Sequence, residues 1–435
     1  MEESKKQTKT TSRIHGFPII GETFEFMKPH DALQFSTFVK DRTFRHGPVF
    51  RTSLFGAKVI ISTDVELNME IAKTSHVPGV TKSIARLFGE NNLFVQSKES
   101  HKHVRSLTSQ LLGTHSLKSR MIQDIDILAC THMKEGARNG VLDVKETASK
   151  VYILSVSSHA LSVCLDNITT NKKIGGKRTR TLLERFSSSW FQFSFNVPGT
   201  GVYRMMKARN KMMKLLKESI LKKRASGEEF GEFFKTIFGE TGKEMMSIEN
   251  AIEYIYTFFL VANETRHGFL RLRTEKEAGL TWEDYKSMTF TQMVINESLR
   301  ITSTFPTVLR VTDHDVQVGD YTIPEGWTFM GYANVHFNPE NYDDPLVFNP
   351  WRWEGKDLGA ILTKTYIPFG AGARLCVGAE LAKLVMSIFI HHLYRYRWSM
   401  KAETKVIRRY MLMFPHGCDV QISDDTEVDK SAYSI

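Results

Sequence analysis

Cysteine is scarce in this 435-residue chain: Cys130, Cys164, Cys376 and Cys418 are scattered, with no CxxC pair and no disulfide-like spacing. That excludes a disulfide scaffold and a cysteine-rich zinc module, and points to a reducing compartment. No internal repeat or low-complexity block is present, so a solenoid is excluded. The polar, basic opening MEESKKQTKTTSR lacks the apolar run of about 18 residues that a membrane span requires. Charge of one sign is not concentrated either. The net charge is +10, but Lys and Arg alternate with acids along most of the chain. The exception, the basic island at 172–185, reads as a solvated loop rather than a nucleic-acid surface. Spread positive charge suits the docking of an acidic protein partner. A hydrophobic content of 41% is ample for one large domain or for two to three ordinary ones.

What the chain does have is FGAGARLCVG, residues 369–378, directly ahead of the helix-patterned run AELAKLVMSIFIHHLYRYRW. A thiolate that ligates haem iron needs a tight loop in which sulfur reaches the metal and backbone N–H groups face its charge. Glycines supply those conformations. The pattern puts Cys376 near a helix N-terminus, whose partial positive charge favours the thiolate. Arg374 is placed to reach a haem propionate. The competing reading is a buried free cysteine in a glycine loop. Against it, a fixed F-x-x-G-x-R-x-C-x-G arises by chance in a chain of this length roughly once in ten thousand.

Phe369, Gly370, Gly372, Arg374, Cys376 and Gly378 resemble the haem-binding loop of the cytochrome P-450 superfamily at every fixed position of its motif. The resemblance implies a mainly α fold with small β-sheets. It implies haem b held by the Cys376 thiolate, with Phe369, Gly370 and Gly378 against the cofactor. In HKHVR, His101 and Arg105 are one helical turn apart, where family members face a propionate; a solvated helix face is the alternative. Arg310, in VLRVTDHDV, matches another propionate contact. Glu297 and Arg300 in NESLR share one helix face, a weak signal alone, since Glu135 and Arg138 show the same spacing. The resemblance adds Arg352 of FNPWRW to make a buried structural triad.

SIENAIEYIYTFFLVANET, residues 247–265, is apolar on nearly all sides and reads as an interior helix about 28 Å long. Its end, with Glu264 and Thr265, resembles the family's oxygen-activation motif, so these two residues are expected to relay protons. Val261, Ala262 and Arg266 depart from the usual small or hydroxyl residues there. Thr265 and Glu297 stand only 32 positions apart, less than family members place there. The charged, glycine-containing RHGFLRLRTEKEAGLTWEDYK has little apolar face with which to replace a helix, so an internal deletion is expected.

PVFRTSLFGAKVIISTD reads as a hairpin turning at Phe55–Gly56, and VGDYTIPEGWTFMGYANVHF as short strands. The aromatics of SSWFQFSFNVPG are core packing or a membrane-dipping surface, and are followed by a long basic amphipathic helix. YMLMFPHGCDVQI resembles the family's last hairpin, with Met413 and Phe414 as pocket or surface-turn residues. The expected organisation is a polar tail at 1–15, a haem domain at 16–423 and a polar tail at 424–435.

Over its better segments the chain resembles the plant clan of sterol, brassinosteroid and triterpenoid oxidases. The resemblance implies a monooxygenase that hydroxylates a lipophilic, terpenoid-like molecule with dioxygen and electrons from an NADPH-cytochrome reductase. It further implies attachment to the cytosolic face of the endoplasmic reticulum. Without an N-terminal anchor this would rest on peripheral contact, with a cytosolic location as the alternative. Two rival readings are a truncated, non-catalytic relative, motivated by the short segment, and a haem-thiolate isomerase, against which Glu264 and Thr265 count.

Overall fold

A computed structural model describes residues 21–73, 89, 98–160, 198, 200–226, 246–262, 279–302, 307–318, 320–332, 334–358, 365–402 and 405–424. β2 (Val49–Leu54), where buried and half-buried residues take turns beyond Phe50, and β3 (Ala57–Ser62), whose last four residues are all buried, form an antiparallel pair. Its turn holds Phe55 at φ 55° and Gly56 at φ 79°, the left-handed geometry that matches the twist of a tight hairpin. A phenylalanine there is strained. The Phe55 N–H donates to Thr23 Oγ1 at 2.7 Å and its ring stands edge-on to Phe26, which holds the turn in place.

β3 pairs in parallel with β8 (Thr328–Tyr332), and β5 (Thr307–Val311) closes the four-stranded sheet on its far side. β6 (Val316–Val318) and β7 (Tyr321–Ile323) form a small hairpin beside it. Two three-stranded sheets use the chain's later segments. In one, β10 (Ile407–Arg408) lies between β1 (His30–Asp31) and β11 (Leu412–Met413). In the other, β12 (Asp419–Asp424) lies between β4 (Val141–Asp143) and β9 (Tyr396–Met400). The β10/β11 pairing puts the hairpin turn at Arg409–Met411. Met413 is therefore in a strand, and the Phe414 ring sits 5.7 Å beneath the Lys145 ammonium.

The helices are α1 (Thr23–Phe26), α2 (Thr37–His46), α3 (Val65–Lys73), α4 (Lys98–Leu112), α5 (Ile122–Asn139), α6 (Val144–Ala160), α7 (Gly201–Ser226), α8 (Ile248–Ala262), α9 (Trp282–Ser287), α10 (Thr289–Thr302) and α11 (Ala379–Leu393). On α4, His101, Val104, Leu107, Thr108 and Leu111 recur at helical spacing and are buried as one stripe. They join α5, α6, α8 and α11 in the largest core cluster. In α8, Ala251, Ile252, Tyr254, Ile255 and Tyr256 are all buried, as a helix apolar on every side requires. The architecture is mainly helical with small sheets, in a single domain.

Glu264 and Thr265 lie outside the described residues, as does most of the shortened segment. The chain is described again from Gly279. There the Leu280 N–H donates to Asp126 Oδ2 at 3.1 Å, while His392 Nε2 meets Asp126 Oδ1 at 2.6 Å. A capping box between Thr281 and Asp284 then starts α9.

Candidate functional site

The cysteine loop is built from both ends. Upstream, the Tyr366 hydroxyl donates to Asn296 Oδ1 at 3.2 Å, and the Ile367 N–H donates to His336 Nε2 at 2.9 Å. Within the loop the N–H groups of Gly370, Leu375 and Cys376 donate to the carbonyls of Ile367, Gly372 and Phe369 at 3.0–3.1 Å. Gly370 and Gly372 hold φ of 81° and 69°. Gly372 is also demanded by space, since a Cβ there would stand 1.8 Å from the carbonyl oxygen of Ala72 at the end of α3. At Gly378, which precedes α11, a Cβ would find ordinary contact distances, 3.8 Å to the Tyr152 hydroxyl and 3.9 Å to Cys376 Sγ.

Cys376 is solvent-accessible on one side and enclosed by protein on the others. Burial raises its thiol pKa; the Gly378 N–H and the Arg105 charge pull the other way without cancelling that effect. Tyr152 faces the same region, its phenol pKa raised by burial and then by the Cys376 charge.

Around the loop the structure gathers Arg105, Arg310, Arg374 and His101. Arg105 Nη1 donates to the Leu375 carbonyl. Arg310, 4% exposed, donates to the carbonyls of Leu309 at 2.7 Å, Ala371 at 3.2 Å and Ala72 at 3.4 Å, yet its Nε is buried without a partner. Burial, and then Arg374, lowers its pKa to about 10. Burial, and then Arg105, does the same to Arg374. His101 falls to about 4, through burial first and then the charges of Arg374, Arg105 and Arg310. Among the described residues no carboxylate takes part in these shifts.

On the other side of the loop stands a network that is internally balanced. Glu297 Oε2 accepts from Arg300 Nε at 2.9 Å and Trp353 Nε1 at 2.9 Å. Its Oε1 accepts from Arg300 Nη2 at 2.8 Å, Arg352 Nε at 2.9 Å and the Asn349 N–H at 3.0 Å. Burial would raise the Glu297 pKa, but these five donors outweigh it and hold it below the usual carboxylate value. Arg300 Nη1 donates to the carbonyls of His336 and Pro345 at 2.6 and 2.7 Å, and its guanidinium lies 4.9 Å from the Tyr342 ring centre. The spacing of NESLR gives the first pair only. Asn349, Trp353 and His336 reach Glu297 or Arg300 through tertiary packing that no local pattern encodes. Phe369 is half-buried at the start of the loop.

These features match known proteins. The cytochrome P450 family profile matches residues 261–417. Cytochrome P450 708A2 of Arabidopsis thaliana is 35% identical over 445 residues, covering 94% of this chain and 91% of the relative. Cucurbitadienol 11-hydroxylase of Siraitia grosvenorii is 29% identical over 94% of this chain and 92% of its own length. Cholesterol 16,22-dihydroxylase CYP90G4 of Paris polyphylla is 27% identical over 96% and 92%. The solved structure of retinoic acid bound cyanobacterial CYP120A1 superposes with a TM-score of 0.76 at 19% identity, over 94% of this chain and 98% of that one, which shows the fold. The chain belongs to the cytochrome P450 family. It is a monooxygenase-type oxidoreductase with plant relatives among sterol and triterpenoid hydroxylases, and the family as a whole carries a haem-thiolate cofactor.

Proposed function

We propose that this chain is a haem-thiolate monooxygenase that hydroxylates a lipophilic triterpenoid- or sterol-like molecule, using dioxygen and electrons from an NADPH-cytochrome reductase. The observation that carries the reading is the convergence of Arg105, Arg310, Arg374 and His101 beside an accessible cysteine, with the Arg310 Nε left without a partner. A buried guanidinium with an unpartnered nitrogen is expensive, and a propionate of haem b would bring the opposite charge to Arg310 and its neighbours. Cys376 fits the remaining requirement, a soft donor open on one side, and would ligate the iron with the Gly378 N–H facing its sulfur.

When bound, haem supplies the activation of dioxygen. The chain's own residues do the rest. Arg105, Arg310, Arg374 and His101 hold the cofactor's acidic edge, while Phe369, Gly370 and Gly378 line its thiolate side. Glu297, Arg300 and Arg352 keep the segments that carry the loop in place. Glu264 and Thr265 would move protons, a role resting on family resemblance. The haem domain is taken as residues 16–423 with polar tails at 1–15 and 424–435. Among the described residues no helix is long and apolar enough to cross a membrane. Attachment to the cytosolic face of the endoplasmic reticulum is the location that the family resemblance implies.

The test is the reduced, carbon monoxide difference spectrum of the haem-loaded protein. A thiolate-ligated Soret band that disappears in Cys376→Ser supports the assignment; an unchanged spectrum in that variant defeats it. The 32-position spacing from Thr265 to Glu297 favours a second reading, haem binding with impaired oxygen chemistry. With reductase and a triterpenoid substrate, NADPH consumption matched by hydroxylated product supports the first reading. Consumption matched by hydrogen peroxide supports the second.

A further inference from the structure

Away from the cysteine loop, a cavity of about 30 Å³ opens between β1, the start of α2, β8 and β10. Its polar lining includes His30, Ser36, Arg408 and Arg409, and its apolar side includes Phe35 and Ile301. No Asp or Glu is among the lining residues. Arg408 is 6% exposed, and its Nη1 is shielded from water without a hydrogen-bond partner among the described residues. Among the described residues its guanidinium interacts with the phenols of Tyr332 and Tyr410 and with the His30 ring. His30 Nε2 is likewise buried without a partner; its Nδ1 donates to the Lys28 carbonyl at 3.4 Å, so Nε2 offers a proton to an anion when the ring is an imidazolium. The neighbouring acid, Asp31, is turned to the Leu33 N–H at 2.8 Å. Ser36 is the N-cap of the ten-residue α2, but its hydroxyl caps no N–H, so the helix's positive end faces the same region uncovered.

A guanidinium, an imidazole nitrogen, a serine hydroxyl and a helix N-terminus thus meet around one small space whose lining holds no acidic side chain. Leaving a buried arginine uncompensated is costly, whereas one oxyanion satisfies it with charge-assisted hydrogen bonds. We propose that this cavity is a binding site for a small oxyanion, a carboxylate or a phosphate group, held by Arg408 with His30 and Ser36. The volume accommodates the anionic group itself and little more, so a larger ligand would enter by its acidic end alone. The cavity shares no lining residue with the cation cluster of His101, Arg105, Arg310 and Arg374 at the cysteine loop.

The experiment uses the haem-loaded full chain and three probes, sodium acetate, inorganic phosphate and sodium decanoate, each titrated to about 50 mM or its solubility limit and followed by calorimetry and by the urea midpoint. Saturable binding of acetate or phosphate, weakened at least about tenfold in Arg408→Gln and unchanged in Arg45→Gln on the exposed face of α2, supports the site. His30→Ala should weaken it as well, which keeps the test decisive if one variant folds poorly. Decanoate binding that displaces acetate with higher affinity identifies an amphiphile's carboxylate as the source. Decanoate no tighter than acetate identifies a free ion. Absence of saturable binding by all three probes, or equal binding in the wild type and Arg408→Gln, overturns the proposal.

Discussion

Arg300 and Arg310 are both nearly invisible to solvent, 0% and 4% exposed, yet they are bonded in opposite ways. Arg300 spends its nitrogens on Glu297 and two carbonyls, inside a network that carries its own negative charge. Arg310 touches only carbonyls, retains an unpartnered Nε, and sits among other cations. The first arrangement is complete without a ligand and serves to hold the fold. The second is a standing electrostatic deficit, and such a deficit is what a bound anion resolves.

The largest effect that sharpens this contrast is expected at Glu297. Glu297→Gln leaves Arg300 buried without a counter-charge and should destabilise the chain by about 3–5 kcal/mol, read from urea unfolding of the haem-free protein. Against a total stability of about 5–15 kcal/mol, that abolishes or nearly abolishes folding at 37 °C. An unfolding midpoint close to wild type would place the stabilisation elsewhere. Next, Gly372→Ala combines a left-handed φ with a Cβ driven into the Ala72 carbonyl, for an expected loss of about 3 kcal/mol. Its haem uptake should fall with it, because the loop must leave α3.

The histidines give the third test. His336, in the balanced network, is held to about 3 by burial and then by Arg300; His101, in the cation cluster, is held to about 4. Below pH 6.5 the unfolded chain binds protons that the folded chain refuses. Stability therefore falls with pH by up to about 1.4 kcal/mol per pH unit for each histidine, down to about 4 for His101 and about 3 for His336. Glu297, with its lowered pKa, adds to the loss at the acid end, as pH falls through its folded value. His101→Phe should flatten the curve between pH 6.5 and 4, and haem loading should do the same by bringing negative charge to His101. If haem changes the slope equally in His101→Phe, the cation cluster does not meet the propionates. The smallest stability effect belongs to Arg310→Met. Its haem-free midpoint should move by less than about 1 kcal/mol, because a strained cation leaves with its three hydrogen bonds, while haem dissociates at least about tenfold faster.

Much of the fold was legible because it is local. The Phe55–Gly56 hairpin, the interior helix through Tyr254 and the strand-rich stretch from Val316 to Tyr332 follow from period and turn chemistry. The β10–β11 hairpin turns at Arg409–Met411, and a second turn, closed by the Gly417 N–H on the Phe414 carbonyl, leads to β12; the partners of these strands, β1 and β4, lie far away in sequence. The cysteine loop was legible as a motif, but its chemistry was only half legible. A helix N-terminus beside Cys376 reads as thiolate-favouring, whereas enclosure by the fold raises the thiol pKa. Likewise, no spacing in the sequence tells that Arg310 lacks an Nε partner or that Trp353 and Asn349 complete the Glu297 shell.

The clamp at Asp126 has a consequence for how this chain tolerates change in length. Because the Leu280 N–H and His392 both moor to that one carboxylate, everything downstream takes its bearings from α5 and α11 rather than from whatever leads up to residue 279. A gene can therefore lose or gain codons ahead of that mooring without shifting the register of the metal-ligand loop. Alterations of the same size between Leu280 and His392 would be transmitted straight into it.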